Sequence, residues 1–144
     1  MLPKTSKGLA DVLGVLQVFI GLGAVAGGLG LALEPSGARL EIPLELLEKS
    51  PFSSYLIPGI VLLCVNGFGS LLGAVSSFKR QPYAGQAAMA LGSFLVTWIV
   101  LQVYWFAGIH WLHALYFALG LIEFVLGWSL QDARRGPEQM EVRQ

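Results

Sequence analysis

Charge is scarce in this 144-residue sequence, in which only 12% of the residues are charged. The nine basic and nine acidic residues balance to a formal net charge of zero, and no basic patch matches what a phosphate backbone requires. Nucleic acid is therefore not expected as a partner. The single cysteine, Cys64, can form no internal disulfide and lies in an apolar stretch, where a small buried hydrophobe is expected.

Recognisable enzyme motifs are missing as well. We find no glycine-rich phosphate loop followed by lysine, no nucleophile elbow and no HExxH motif. The glycine-rich run at 21–30 lies inside an apolar stretch and not between a strand and a helix, which argues against a dinucleotide site. The sequence therefore predicts no cofactor, and an enzyme is less expected than a protein without catalytic activity.

Hydrophobic residues, by contrast, make up 55% of the chain, more than one small soluble core can bury. The alternating polarity of a membrane β-barrel is missing, whereas about 20 apolar residues suffice for a helix to cross a bilayer. Four stretches reach this length, at about 9–33, 56–78, 85–107 and 109–130. The sequence predicts an all-α integral membrane protein: a single antiparallel four-helix transmembrane bundle in the lipid bilayer, with a polar tail at 131–144.

Basic residues beside the four stretches predict the topology. Six of them fall on one side of the predicted bundle, namely Lys4, Lys7, Lys79, Arg80, Arg134 and Arg135. The other side has only Arg39 and Lys49, so the positive-inside rule places both termini in the cytoplasm of a multi-pass protein of the cytoplasmic membrane. A cleaved signal peptide is the alternative for the first stretch, but that stretch is longer than the usual apolar core of about 7–15 residues.

The outer loop at 34–55 is predicted to contain a short amphipathic interfacial helix. Leu40, Leu44 and Leu47 recur at helical spacing, with glutamates on another face. This helix is expected to rest on the membrane surface with Tyr55 among its anchors, or to cap the outer mouth of the bundle as a lid. A plain connector is the simpler alternative.

Each predicted helix carries one strongly polar residue away from its ends: Gln17, Asn66, Gln102 and Glu123. A charged side chain at the membrane centre costs roughly 2.5–3.5 kcal/mol, so Glu123 should face protein or water. Counting residues from the cytoplasmic ends puts Gln17 at the depth of Glu123, with Asn66 about one turn further out. We therefore predict a network of Gln17, Glu123 and Asn66, while Gln102 lies nearer the outer surface.

Small residues accompany these polar side chains. On the fourth predicted helix, Tyr116, Gly120, Glu123 and Gly127 fall on one face. Similar stripes of small residues occur on the first and second predicted helices, and the stripe on the second helix ends at Ser77. Stripes of this kind allow membrane helices to approach closely, so these faces are predicted to meet.

Two functions follow from this interior. The first is a structural or accessory role, within a homo-oligomer or with other membrane subunits, in which the polar side chains form a hydrogen-bonded clasp. The alternative is a proton-coupled transporter or channel for a small solute that uses Glu123. In that case Gln17, Asn66, Tyr116 and Gln102 are the expected residues of the substrate or proton pathway.

A second alternative rests on His110 and His113, near the outer end of the fourth predicted helix. Their i,i+3 spacing could bring two imidazoles to one metal or haem, or serve a membrane-embedded enzyme. The sequence has no further histidine to complete such a site. An interfacial role is therefore favoured, and no metal is predicted.

Overall fold

The computed structural model describes residues 4–106 and 109–141, with side chains through residue 136. All regular structure in this part of the chain is helical. The four long helices are α1 (Lys4–Leu33), α2 (Leu56–Phe78), α3 (Ala84–Trp105) and α4 (Trp111–Glu141). Each is long and apolar enough to cross a membrane, as the sequence predicts. The predicted end of the third helix at residue 107 and the last tail residues, 142–144, lie outside the described residues.

Two helices are longer than their apolar stretches. α1 begins at Lys4 and not at residue 9, and α4 continues into the predicted tail as far as Glu141. Hydropathy marks where apolar side chains end, whereas backbone hydrogen bonds can extend a helix through polar residues. The extension of α4 is held at Arg134, whose Nη1 donates a hydrogen bond to the carbonyl oxygen of Gln81.

α2 is not uniform along its length. It begins as an α-helix at Leu56–Val61, adopts π-helical hydrogen bonding over Leu62–Gly69, and returns to α-helix over Ser70–Phe78. π-Helical turns are rare and often occur at functional sites. Asn66 lies inside this segment and is buried, whereas Cys64 is exposed on its outer side and does not occupy the buried position predicted for it.

A tight turn joins α2 to α3. Gln81 N donates to Ser76 O and Arg80 N donates to Ser77 O, each at 2.9 Å, which is the hydrogen-bond pattern of a Schellman motif. Arg80 occupies the left-handed position with φ 55°, where glycine is usual. Its guanidinium Nη2 lies 3.1 Å from Asp11 Oδ1 and 3.2 Å from Oδ2, which fixes the turn against α1.

Glycines set the helix spacing in two tightly packed pairs. In the α3–α4 pair, a Cβ added to Gly92 would lie 2.6 Å from the carbonyl oxygen of Gly120, and one added to Gly85 would lie 2.7 Å from that of Gly127. In the α1–α2 pair, Gly28 faces the backbone of α2 just as closely. The predicted small-residue stripes therefore lie between helices, and large apolar side chains remain exposed on the outside of all four helices.

The loop between α1 and α2 differs from the predicted amphipathic helix. It forms two short 3₁₀ turns, Ala38–Leu40 and Leu44–Leu47, because Glu41 adopts a left-handed conformation with φ 54° and Pro43 is extended. Tyr55 is 1% exposed and donates a hydrogen bond to the carbonyl oxygen of Pro43 at 2.8 Å, so it is a core residue of the loop and not a surface anchor.

This loop covers one end of the bundle. Leu47 and Tyr55 pack with Leu31 at the end of α1, and Phe106 after α3 packs against the same cluster. Burial raises the pKa of the Tyr55 hydroxyl, and the neighbouring carboxylate of Glu45 raises it further. These contacts place the loop over the ends of α1 and α3, as a cap on that end of the bundle.

Candidate functional site

A hydrogen-bonded chain of three side chains crosses the bundle interior. Gln17 Nε2 of α1 donates to Glu123 Oε1 of α4 at 3.0 Å, and Ser77 Oγ of α2 donates to Gln17 Oε1 at 2.8 Å. All three residues are 0% exposed. We refer to Ser77, Gln17 and Glu123 as the clasp, which joins three of the four helices through polar groups that neither water nor lipid can reach.

Glycine makes room for the clasp. A Cβ added to Gly73 of α2 would lie 2.8 Å from Gln17 Nε2, and one added to Gly14 of α1 would lie 2.6 Å from the ring of Phe78. The absence of side chains at these positions lets α1 and α2 approach until Ser77 reaches the Gln17 carbonyl. The stripe of small residues and the polar network are therefore parts of one packing arrangement.

The clasp has a fixed direction. The amide oxygen of Gln17 accepts from the Ser77 hydroxyl while its NH₂ group donates to the Glu123 carboxyl, so both sides of the amide are used. Its hydrogen bond to Oε1 fixes the orientation of the Glu123 carboxyl between α1 and α4. The two hydrogen bonds therefore link α2 to α1 and α1 to α4 through one amide.

One oxygen of the carboxyl remains open. Glu123 Oε2 is buried and has no hydrogen-bond partner among the side chains and backbone described up to residue 136. A buried polar atom without a partner typically costs about 1–3 kcal/mol. Glu123 Oε2 is therefore a buried polar atom of the clasp whose hydrogen-bonding capacity is unused within the described residues.

Asn66 does not join the clasp, although the sequence predicts that it does. It is 1% exposed, and its Nδ2 has no partner within the described ranges. Counting from the predicted cytoplasmic ends places residue 9 of α1 beside Phe78 of α2, whereas in the structure Gly14 packs against Phe78. This displacement of five residues, about 7.5 Å at 1.5 Å per residue, brings Ser77 and not Asn66 to Gln17.

Ser77 is the member of the clasp that the sequence analysis does not predict. It lies on the predicted inward stripe of α2, so periodicity predicts that its side chain faces the bundle interior. Periodicity does not predict its depth, because the relative shift of two helices depends on which glycines meet. A serine on the same stripe as a buried asparagine is the signal that could have identified it.

The other two predicted pathway residues also lie apart from the clasp. Tyr116 is half-buried, with its hydroxyl directly above Gly23, where an added Cβ would lie only 2.0 Å away. Gln102 is half-buried near the end of α3, where its backbone carbonyl oxygen accepts a hydrogen bond from Phe106 N at 2.8 Å. The structure thus brings together only Gln17 and Glu123 of the five predicted residues.

His110, just before α4, and His113, in its first turn, form a helix-capping arrangement. His113 Nδ1 accepts from His110 N at 3.0 Å, and His110 Nδ1 accepts from Leu112 N at 3.4 Å. Each imidazole thus uses one nitrogen on backbone donors of the first turn, which otherwise lack partners. No group of three or more His, Cys, Asp or Glu side chains suited to a metal occurs among the described residues.

Comparisons with known proteins add no functional assignment. No protein-family model, no curated protein and no solved structure matches this chain.

Proposed function

We propose that this chain is a multi-pass protein of the cytoplasmic membrane with a structural or accessory role, as a subunit of a homo-oligomer or a larger membrane complex. The observation that carries the proposal is the clasp: the Glu123 carboxyl is wholly buried and is used to hold α4 to α1 and, through Gln17, to α2. A carboxyl used in this way is a packing element.

Placement in a membrane is supported by the outer surface of the bundle. Large apolar side chains such as Leu72, Val125 and Trp128 are more than half exposed, which lipid favours and water does not. The ion pair of Asp11 with Arg80 and the contact of Arg134 with Gln81 gather the basic helix ends at one end of the bundle. By the positive-inside rule that end faces the cytoplasm.

The orientation can be tested by cysteine labelling. Cys64 is exposed, so a Cys64→Ala background is needed before a cysteine replaces Lys4 or Lys49. In intact cells a membrane-impermeant maleimide should label the Lys49→Cys variant and leave the Lys4→Cys variant unlabelled until the membrane is opened. The reverse pattern would refute the proposed orientation.

The role of the clasp can be tested with Glu123→Gln. The amide retains an acceptor oxygen for Gln17, so assembly mass, measured by light scattering in detergent, and copurified subunits should match the wild type. Glu123→Leu removes the acceptor and should lower the yield of assembled protein. Thr97→Ala is the matched control, since the hydrogen bond of Thr97 Oγ1 among the described residues is to Ser93 O of its own helix.

Proton-coupled transport is a second candidate that one contact favours. Gly73 lines a groove between α2 and α3 and lies directly against the Gln17 amide, so only a glycine separates the groove from the clasp. Under this function Glu123→Gln would abolish pH-dependent solute uptake by proteoliposomes while assembly mass stays unchanged. Intact assembly with a lost pH-dependent flux would overturn the structural proposal.

A further inference from the structure

An open groove of about 580 Å³ lies between α2 and α3, beside the turn that joins them. A groove of this volume is within the range of small-ligand sites, about 300–1,000 Å³. Its apolar and small lining residues come from both helices, and polar side chains lie at one end. The lining comprises Gly69, Leu72, Gly73, Val75, Ser76, Lys79, Gln81, Tyr83, Ala87, Ala90 and Leu91.

The glycines of the groove are already used within the chain. A Cβ added to Gly69 would lie 3.2 Å from a methyl group of Leu91, and one added to Gly73 would lie 2.8 Å from the other. The Leu91 side chain therefore fills the small-residue surface that a partner helix would need for close approach. This contact makes a second copy of the chain a poor occupant.

The charge of the groove is one-sided. Lys79 is its cation, and no acidic side chain is among its lining residues. Arg80 next to it is committed to Asp11, and the Ser76 hydroxyl is committed to the carbonyl oxygen of Gly73 at 2.7 Å. Lys79 is exposed at the same end as Gln81 and Tyr83, which can also donate hydrogen bonds to an anion.

We propose that this groove binds one anionic phospholipid, with its phosphate at Lys79 and an acyl chain along the surface formed by Leu72, Val75 and Ala90. A cation at the end of an apolar groove complements an anionic head attached to a hydrocarbon chain. The inference rests on the proposed membrane function, because it takes the basic end of the bundle to lie among headgroups.

The test is native mass spectrometry of the purified full chain in detergent, titrated with phosphatidylglycerol or with phosphatidylcholine of the same acyl chains. Phosphatidylglycerol should bind more tightly. Lys79→Gln should weaken its binding about fivefold, which corresponds to about 1 kcal/mol for one basic residue at the headgroup. Lys49→Gln, in the loop at the opposite end, is the matched charge control and should bind like the wild type.

A second pair of variants tests the apolar part of the groove. Ala90→Leu places a larger side chain in the groove and should weaken the binding of both lipids, whereas Ala118→Leu, at an exposed position of α4, should not. Equal binding of the two lipids by the wild type, or equal losses in Lys79→Gln and Lys49→Gln, would refute the proposal. A change of Ala90→Leu from oligomer to monomer would identify the groove as a subunit contact and would also refute it.

These outcomes are separable from failure of the proposed function. Lipid binding is read from the purified protein, whereas the structural role is read from the assembly mass of Glu123→Gln, a residue that does not line the groove. A protein that assembles normally and shows no preference for phosphatidylglycerol would disprove the lipid site alone.

Discussion

The clasp predicts a measurable coupling between Gln17 and Glu123. Replacing Gln17 by leucine removes both hydrogen bonds of its amide and leaves Glu123 Oε1 and the Ser77 hydroxyl without their observed partners. Leucine has a similar volume, so the change should leave little cavity and little overpacking. The loss of stability should then come from unmade hydrogen bonds in a buried site.

The magnitude follows from the number of bonds. Single hydrogen bonds between membrane helices contribute about 0.6 kcal/mol on average and about 1.7 kcal/mol at most. Two bonds lost in Gln17→Leu should therefore cost about 1–3 kcal/mol. In a double-mutant cycle with Glu123→Leu, the coupling should reach about 0.6–1.7 kcal/mol, because the two residues share one bond.

The assay is reversible unfolding in mixed micelles, followed by tryptophan fluorescence, for the wild type, the two single variants and the double variant. The same cycle built from Gln17→Leu and Thr97→Ala provides the control, since these side chains share no hydrogen bond. That control should be additive within about 0.3–0.5 kcal/mol.

A coupling between Gln17 and Glu123 no larger than in the control would refute the clasp. It would mean that the bond does not persist in the folded protein, whatever the cost of each single change. Strong coupling between Gln17 and Glu123, together with a wild-type assembly mass for Glu123→Gln, would agree with a packing role.

Three further predictions concern other parts of the fold. Gly92→Leu should lower the free energy of unfolding by about 3 kcal/mol, the upper end for overpacking, because its Cβ would lie 2.6 Å from a facing backbone oxygen. Gly8 has open space around it, so Gly8→Ala should instead raise the free energy of unfolding by roughly 0.5–1 kcal/mol. Thermal unfolding in detergent distinguishes the two outcomes. Because its folded-state pKa is raised, Tyr55 should stabilise the loop below about pH 10 and lose that contribution as the pH rises further, and unfolding scans of Tyr55→Phe should lack this dependence. Arg80→Ala should be less stable than Arg80→Gly by about 1 kcal/mol, since both lose the ion pair but only alanine keeps the left-handed strain; equal denaturation midpoints would contradict this.

Helical periodicity predicts which side chains face the bundle interior, but it does not predict how deep in the bundle each one lies. The sequence predicts Gln17 and Glu123 inside the bundle, and both are fully buried. Their pairing with each other also follows from the residue count. The partner on α2 does not, because the count assumed that all helices end in one plane, whereas Gly14 packs against Phe78 and shifts the register by five residues.

The loop shows a different limit. Leucines at helical spacing predicted one amphipathic helix, but Glu41 in a left-handed conformation divides the segment into two 3₁₀ turns. Spacing alone could not anticipate that Tyr55 would be drawn beneath the loop by its bond to Pro43. That position depends on the ends of α1 and α3, which are distant in sequence.

The amino-acid sequence is enough to predict four apolar helices, their order and the faces on which small and polar residues lie, because helix length and periodicity are local properties. Which side chains meet depends instead on how the helices pack. Close glycine contacts set the shift of α1 against α2, and that shift selects Ser77 as the clasp's third member. The packing of α2 against α3 also leaves the groove beside Lys79, which no local sequence pattern indicates.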